Sequence, residues 1–371
     1  AKTVGEFWDL VCSGRDPKSP PPQGRFGLHE TAPTDNPASR LPEFGGRHGG
    51  YINNFVFDCL RFRIPPKQFA AANPLQFLLL SVCEQAIREA GYVDREFDRS
   101  RVGTVVGAVF SCDFLHDAIQ GAWIPDFLDR LERALLEHGA AREMIARVSD
   151  AYAERAMLEL QAARDETGSA SSSTLASRIA KHFDLMGGAM SLDAGDASAL
   201  SAVNAAVGLL RGRTCEMVLC AAGQRSMDAL AYEDLAFKGE LAAGEPRAAF
   251  DRQAAGYVPA EAAVAVVLKR HADALRDGDP IFAVIRGVEG VSDAESLERA
   301  LRNAHESALA TTRTAAEEVR LIETAAAAVP SRDGAEAAAI AATYGRDTAG
   351  FPRPVGSHVA RLGNARGASG M

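Results

Sequence analysis

The sequence predicts a layered α/β protein, and three observations carry that prediction. Nearly continuous apolar runs, such as Arg101 to Phe110, Met217 to Ala222 and Ala262 to Leu268, have the length of strands buried on both faces. Segments of helical period stand between them. At 371 residues the chain is long enough for two ordinary domains or one large layered one.

The elements follow in order. A short helix over Val4 to Cys12 precedes an extended, Pro- and Gly-rich stretch from Gly14 to Gly50. A helix over Asn73 to Ala90 places Leu75, Leu79, Val82, Cys83 and Ala86 on one face, with Asn73 as N-cap and Pro74 at the first helical position. Arg101 to Phe110 is a β-branched strand. Residues 124–164 read as two amphipathic helices broken at Gly139, with core-facing stripes Phe127, Leu131, Leu135 and Met144, Val148, Tyr152. The alternation then becomes regular: helix Ser173 to His182, strand Gly188 to Asp193, helix Ala197 to Arg211 and strand Met217 to Ala222. Strands Ala262 to Leu268 and Ile281 to Val288 are followed by helix Glu295 to Leu309, strand Val319 to Glu323 and helix Gly334 to Tyr344.

Composition excludes several classes. Lys+Arg total 40 against Asp+Glu 49, a net charge of −9 that argues against binding to nucleic acid or anionic lipid. The apolar runs fall far short of the roughly 20 residues that span a bilayer. Residues 1–17 lack a basic start followed by an apolar stretch, so the expected location is cytoplasmic. The six cysteines form no CxxC pair and no metal-ligand spacing, and the expectation is that they pack as small apolar groups, with no metal and no bound cofactor. The eight histidines form no H-x-x-x-H pair.

From Gly49 onward specific blocks emerge: Phe57-Asp58, Phe62, Ile64-Pro65-Pro66, the helix entry Asn73-Pro74-Leu75-Gln76, and Ala90-Gly91. Further on stand Ala176-Ser177-Arg178-Ile179-Ala180, Ala249-Phe250-Asp251, Gly256-Tyr257-Val258 with Glu261, and Gly278-Asp279-Pro280-Ile281. In this order they resemble the β-ketoacyl synthases, the condensing enzymes of fatty acid and polyketide assembly. Within that family the Ile64-Pro65-Pro66-Lys67-Gln68 turn and the long helical excursion look most like condensing domains of polyunsaturated fatty acid synthases and related iterative polyketide synthases.

The resemblance breaks at the positions where the chemistry should be. A ketosynthase uses a cysteine thiolate at a helix start and two histidines that hold the malonyl thioester and its enolate. The family's D-T-A-C-S-S-S-L segment falls on Asp193 to Leu200 and puts Asp196 at the nucleophile. Its E-x-H-G-T-G-T segment falls on Glu323 to Val329 and puts Ala325 at the first histidine. Its K-x-N-x-G-H segment falls on Val359 to Asn364, with Asn364 at the second histidine and Val359 at the lysine. Asp196 reads as a helix N-cap in a retired site. No catalytic residue is expected. His358, beside the lysine position, is the histidine nearest the altered segment.

The resemblance implies a thiolase-like five-layer αβαβα fold of two similar halves. It makes residues 1–371 a single ketosynthase-like domain, incomplete at both ends. The N-terminal half would lie near 1–200, with a helical excursion at 115–165, and the C-terminal half near 201–371. It implies a dimer through the strand bearing Ala189, Met190 and Leu192, with an active ketosynthase as the expected partner, or a homodimer. The substrate context would be acyl chains on a phosphopantetheine carrier protein. The expected role is that of a chain length factor, with Phe110, Cys112, Phe114 and Leu115 lining the tunnel or interface beside Met190 and Leu192. The alternatives are a docking scaffold, or a residual acyl-thioester enzyme using Asp196.

Overall fold

A computed structural model describes residues 1–22, 48–53, 55–109, 113–159, 171–225, 227, 229–242, 248, 250–345 and 353–371. Helix α1 (Val4–Ser13) is capped by Thr3, whose side chain accepts the Glu6 N–H, and it ends at Gly14 in the left-handed region. The short α2 (Pro66–Ala71) leads to α3 (Pro74–Glu89), where the Asn73 side chain accepts the Leu75 N–H at 2.9 Å as its sequence predicts. Ahead of them Phe57 stacks on Phe62 and Phe69, with ring centroids 4.6 and 5.5 Å away, and lies against Phe77 of α3.

Strand β1 (Val102–Ala108) is wholly buried. Helices α4 (Asp113–Glu137) and α5 (Arg142–Glu159) follow as a hairpin turning at Gly139, and α6 (Ser173–Phe183) returns the chain to the sheet. Next come β2 (Ala189–Leu192), α7 (Ser198–Arg211), β3 (Met217–Gln224), α8 (Ala229–Phe237), β4 (Ala262–Lys269) and α9 (His271–Asp277). The last elements are α10 (Leu297–Thr312), β5 (Ile322–Glu323), α11 (Pro330–Tyr344), β6 (Val355–Gly356) and α12 (His358–Leu362).

The main sheet has the order β2-β1-β3-β4, with β1 parallel to β2 and β3, and β4 antiparallel to β3. Alternation along the strands divides the core. Val106, Leu219 and Ala221 pack with Leu75, Phe77 and Leu79 of α3 and with Leu175 and Ile179 of α6. Val105, Val218 and Cys220 pack on the other side with Ala202, Val203, Ala206 and Leu210 of α7. Each fully buried Leu, Val or Phe contributes about 1.5–3 kcal/mol, so a sheet covered on both faces is the main store of stability. A second, parallel pair joins β5 to β6.

Four expectations need correction. Residues 281–288 form no strand: Phe282 is 85% exposed, and among the described residues no strand pairs with the segment. The strand expected over Val319 to Glu323 shrinks to Ile322–Glu323, because its partner β6 pairs only with those two residues. The two expected stripes of the excursion differ: Leu131 and Leu135 of the first are half-buried and its Phe127 packs on Tyr152 across the hairpin with ring centroids 4.9 Å apart, but Met144, Val148 and Tyr152 of the second are exposed, whereas Ile145 and Ser149, one position on from Met144 and Val148, are buried. Cys12 is exposed rather than packed, unlike Cys83, Cys215 and Cys220.

Candidate functional site

The turn between β2 and α7 satisfies its own polar groups. Asp193 accepts the Gly195 N–H at 3.0 Å, and the Ser198 hydroxyl donates to the Gly195 carbonyl at 2.6 Å while accepting the Ala194 N–H at 2.9 Å. The N-cap of α7 is Ala197, with no side-chain cap. Asp196 is therefore not the expected helix cap: the N–H groups of Ala197 and Ser198 that follow it donate to the carbonyls of Ala194 and Gly195 at 3.2 and 3.1 Å. Its carboxylate turns outward and accepts from Arg332 Nη1 at 3.3 Å and from Arg366 Nε at 3.5 Å.

Arg332 comes from the segment that carries Ala325. After β5 the chain turns through Ala325 to Ala328, and the carboxylate of Glu336 accepts the N–H groups of Ala325 and Ala326 at 3.0 and 2.9 Å. Ala326 and Ala328 have φ of 33° and 56°, a left-handed path that costs an alanine about 1–2 kcal/mol. The matched family segment has glycine at both places. The turn delivers the first turn of α11, where Arg332 meets Asp196 on one side and Glu240 Oε1 at 2.5 Å on the other. Beside it, Asp333 is buried and accepts the Phe250 N–H at 3.3 Å; burial raises its carboxyl above the usual range.

Arg366 comes from the segment that carries Asn364. Asn364 is buried and ties loops together: its N–H donates to Val258 O, and its carbonyl accepts from Ala260 N. Its Oδ1 accepts the Arg366 N–H at 2.7 Å and the Ser369 hydroxyl at 3.0 Å, which turns Arg366 back toward Asp196. Val359, at the family's lysine position, is buried, while His358 before it contacts Glu323 Oε1 through Nδ1 at 2.8 Å and Ser369 O through Nε2 at 3.1 Å.

The segments bearing positions 196, 325 and 364 thus converge, but through arginines rather than through the residues at those positions. Arg332 and Arg366 escaped the sequence reading. The signal was available: each is a charge just past a motif segment, seven residues after Ala325 and two after Asn364. Of the tunnel and interface candidates, Phe110 and Cys112 lie outside the described residues, as do the side chains of Phe114 and Leu115 at the start of α4. Met190 is exposed on β2, the outer strand of its sheet, and Leu192 packs partly against the α7 cluster. Among the described residues no group of His, Cys, Asp or Glu is arranged to hold a metal, and no helix is long and apolar enough to cross a membrane.

Comparison with known proteins places these features in a family. The spectinabilin polyketide synthase system protein NorB of Streptomyces orinoci is 29% identical over 100% of the chain, which covers 16% of that protein. The polyketide synthase GfsB of Streptomyces halstedii is 29% identical over 99% of the chain, which covers 6% of it. The chain therefore spans a small fraction of the curated relatives that it matches. Among solved structures, the ketosynthase from module 6 of the bacillaene synthase of Bacillus subtilis superposes with a TM-score of 0.75 at 20% identity, covering 100% of this chain and 57% of that one. The oxazolomycin ketosynthase domain OzmH KS7 of Streptomyces albus gives 0.76 at 22% identity, covering 99% of this chain and 59% of that one. The fold is the thiolase-like ketosynthase fold. Matched by the β-ketoacyl synthase N-terminal domain over residues 1–274 and by its C-terminal domain over residues 282–371, the chain belongs to the β-ketoacyl synthase family.

Proposed function

We propose that this chain is a non-condensing ketosynthase-fold component of a polyketide or fatty acid synthase. It pairs with a catalytically complete ketosynthase and shapes the acyl tunnel, in the manner of a chain length factor. The single observation that carries the proposal is Asp196 at the nucleophile position, engaged by Arg332 and Arg366. A carboxylate is a poor acyl acceptor, since transfer from a thioester would make a reactive anhydride, and its charge repels a malonyl carboxylate. Ala325 has no proton to give or take, and Asn364, whose Oδ1 is held in its own turn, can donate a hydrogen bond but cannot shuttle a proton. Neither residue does the acid–base work of an imidazole.

The open edge of β2, with Met190 at the surface, supports a partner that extends the sheet. Carrier-bound acyl chains are the substrates of the assembled pair, and Phe114 with its neighbours Phe110, Cys112 and Leu115 borders the tunnel. The test takes the chain alone, and then with a ketosynthase of the same synthase, and supplies acyl- and malonyl-carrier substrates. Mass spectrometry follows acylation, and carbon dioxide release is recorded. The expected result is no acyl-enzyme and no carbon dioxide from the chain alone, and product from the pair. Turnover by the chain alone that is lost in Asp196→Asn would replace this reading with that of a residual acyl-thioester enzyme. Phe114→Ala in the pair is expected to change product length.

A further inference from the structure

The inner faces of the α4–α5 hairpin meet each other, with Ile145 buried and Leu131 and Leu135 half-buried. A second apolar stripe runs along its outside. On α4 it holds Ile119, Trp123 and Phe127, and on α5 Met144, Val148 and Tyr152, each set spaced by one helical turn. Phe127 packs on Tyr152 with ring centroids 4.9 Å apart, so both sets lie on one side of the hairpin. Because the helices of a hairpin run antiparallel, the stripe passes from Ile119 to Phe127, crosses to Tyr152 and continues to Met144. All six side chains are between 43% and 59% exposed. Each set covers about 12 Å of helix, so the stripe is about 24 Å long, matching about 16 residues of a helix laid upon it. Single apolar residues at a surface are ordinary, but a contiguous stripe with three aromatic rings marks a place of contact.

The charges around the stripe select what lies on it. Helix α4 holds six acidic residues against two arginines, and both arginines are spent within the helix, Arg130 on Asp126 at 2.9 Å and Arg133 on Asp129. Helix α5 adds four acidic residues against three arginines. A second copy of the chain, itself of net charge −9, would set this acidic hairpin against its like. A helix with basic flanks meets complementary charge instead.

We propose that the outer face of the α4–α5 hairpin docks one amphipathic helix of another polypeptide. That helix is about four turns long, apolar where it lies on the stripe and basic along its flanks. Trp123, Phe127 and Tyr152 are the anchors, and the docked helix completes a three-helix bundle. The inference makes no use of the open edge of β2 and does not depend on pairing with an active ketosynthase.

The experiment uses the full chain and two synthetic helices of about 18 residues. One is built of leucine and lysine with the leucines along a single stripe, and the other has glutamate in place of every lysine. The chain has two tryptophans, so Trp8→Phe leaves Trp123 as the sole reporter on the face. The leucine–lysine helix is expected to bind saturably, one per chain, with a blue shift of the Trp123 emission, and the leucine–glutamate helix at least tenfold more weakly. Val148→Glu is expected to weaken the leucine–lysine helix at least tenfold even though it adds negative charge, which separates docking on the stripe from attraction by charge alone. Phe282→Glu, at an exposed apolar residue of another segment, should leave binding unchanged. Met144→Glu serves if the Val148 variant fails to fold. Undiminished binding to the glutamate variants overturns the proposal, as does equal binding of the two helices. A concentration-dependent dimer in sedimentation that Val148→Glu abolishes also overturns it, since the face then belongs to a second copy. Turnover with an active ketosynthase has no bearing on these outcomes, so the two proposals fail separately.

Discussion

Gly107 of β1 lies directly beneath Ser198, the first residue of α7: a Cβ at position 107 would stand 2.7 Å from the Ser198 carbonyl carbon. The absence of a side chain there lets the helix start, and with it the Asp196 turn, settle onto the end of the strand. Gly107→Ala must push backbone against backbone, and such overpacking costs about 1–3 kcal/mol. The expected outcome is a lower urea midpoint with an unchanged slope.

Ala328 sits at φ 56° where the matched family segment has glycine. Ala328→Gly relieves about 1–2 kcal/mol of left-handed strain, against about 0.5–1 kcal/mol of added freedom in the unfolded chain. The net expectation is stabilisation of up to about 1.5 kcal/mol. Ala327→Gly, next to it and outside the left-handed set, should only destabilise. Opposite shifts of the two melting temperatures check this.

Lys269 at the end of β4 holds Asp277 at 2.6 Å, Asp279 at 2.5 Å and the Tyr92 hydroxyl at 2.8 Å, and Arg95 meets Asp279 from outside at 2.7 Å. Burial alone would raise Asp279, but hydrogen bonds from Lys269 and Tyr92 bring its carboxyl below the usual range. Asp277 is also held low, first by Arg276 and then by Lys269. Carboxyls lowered in the folded state add stability that is fully present above their unfolded value near about pH 4 and is lost as pH falls below it. Lys269→Met leaves Asp279 with only Arg95 and the Tyr92 hydroxyl among its described partners, and loss of one partner of a buried pair costs about 3–5 kcal/mol. Denaturant midpoints measured from pH 7 down to pH 2 should show a steep acid loss in the unsubstituted chain and a shallower one in Lys269→Met.

Asp196→Cys restores a thiol at a helix start but neither imidazole. Carbon–carbon bond formation from malonyl-carrier substrate should stay at background, even if iodoacetamide labels the new cysteine. In the unsubstituted chain the same reagent should modify exposed Cys12 and spare Cys83 and Cys220, whose thiols burial pushes up, that of Cys220 to about 12. Peptide mapping reads both results.

Much of this was written locally. The Asn73–Pro74 entry to α3 could be read because a cap and a fixed φ act within one turn, and β1, β3 and β4 because strands covered on both faces must be apolar throughout. The stripe of α5 could not: periodicity sets the repeat, while the partner helix decides which stripe turns inward, and it took Ile145 rather than Met144. Residues 281–288 are apolar enough for a strand, but a strand also needs a neighbour. At the site, motif order located Asp196, Ala325 and Asn364. Their roles depended on groups distant in sequence, namely Arg332, Arg366 and the Ser198 hydroxyl that replaced Asp196 in the turn.

Among the described residues, strand β2 is hydrogen-bonded to β1 on one side only, over the four pairs from Thr104–Ala189 to Gly107–Leu192. Any chain that adds to its other side binds the folded form and not the unfolded one, so by mass action it raises stability with its own concentration. Under the proposed pairing, the melting temperature is a property of stoichiometry as much as of sequence, and chain made in excess of that partner is the first to be degraded.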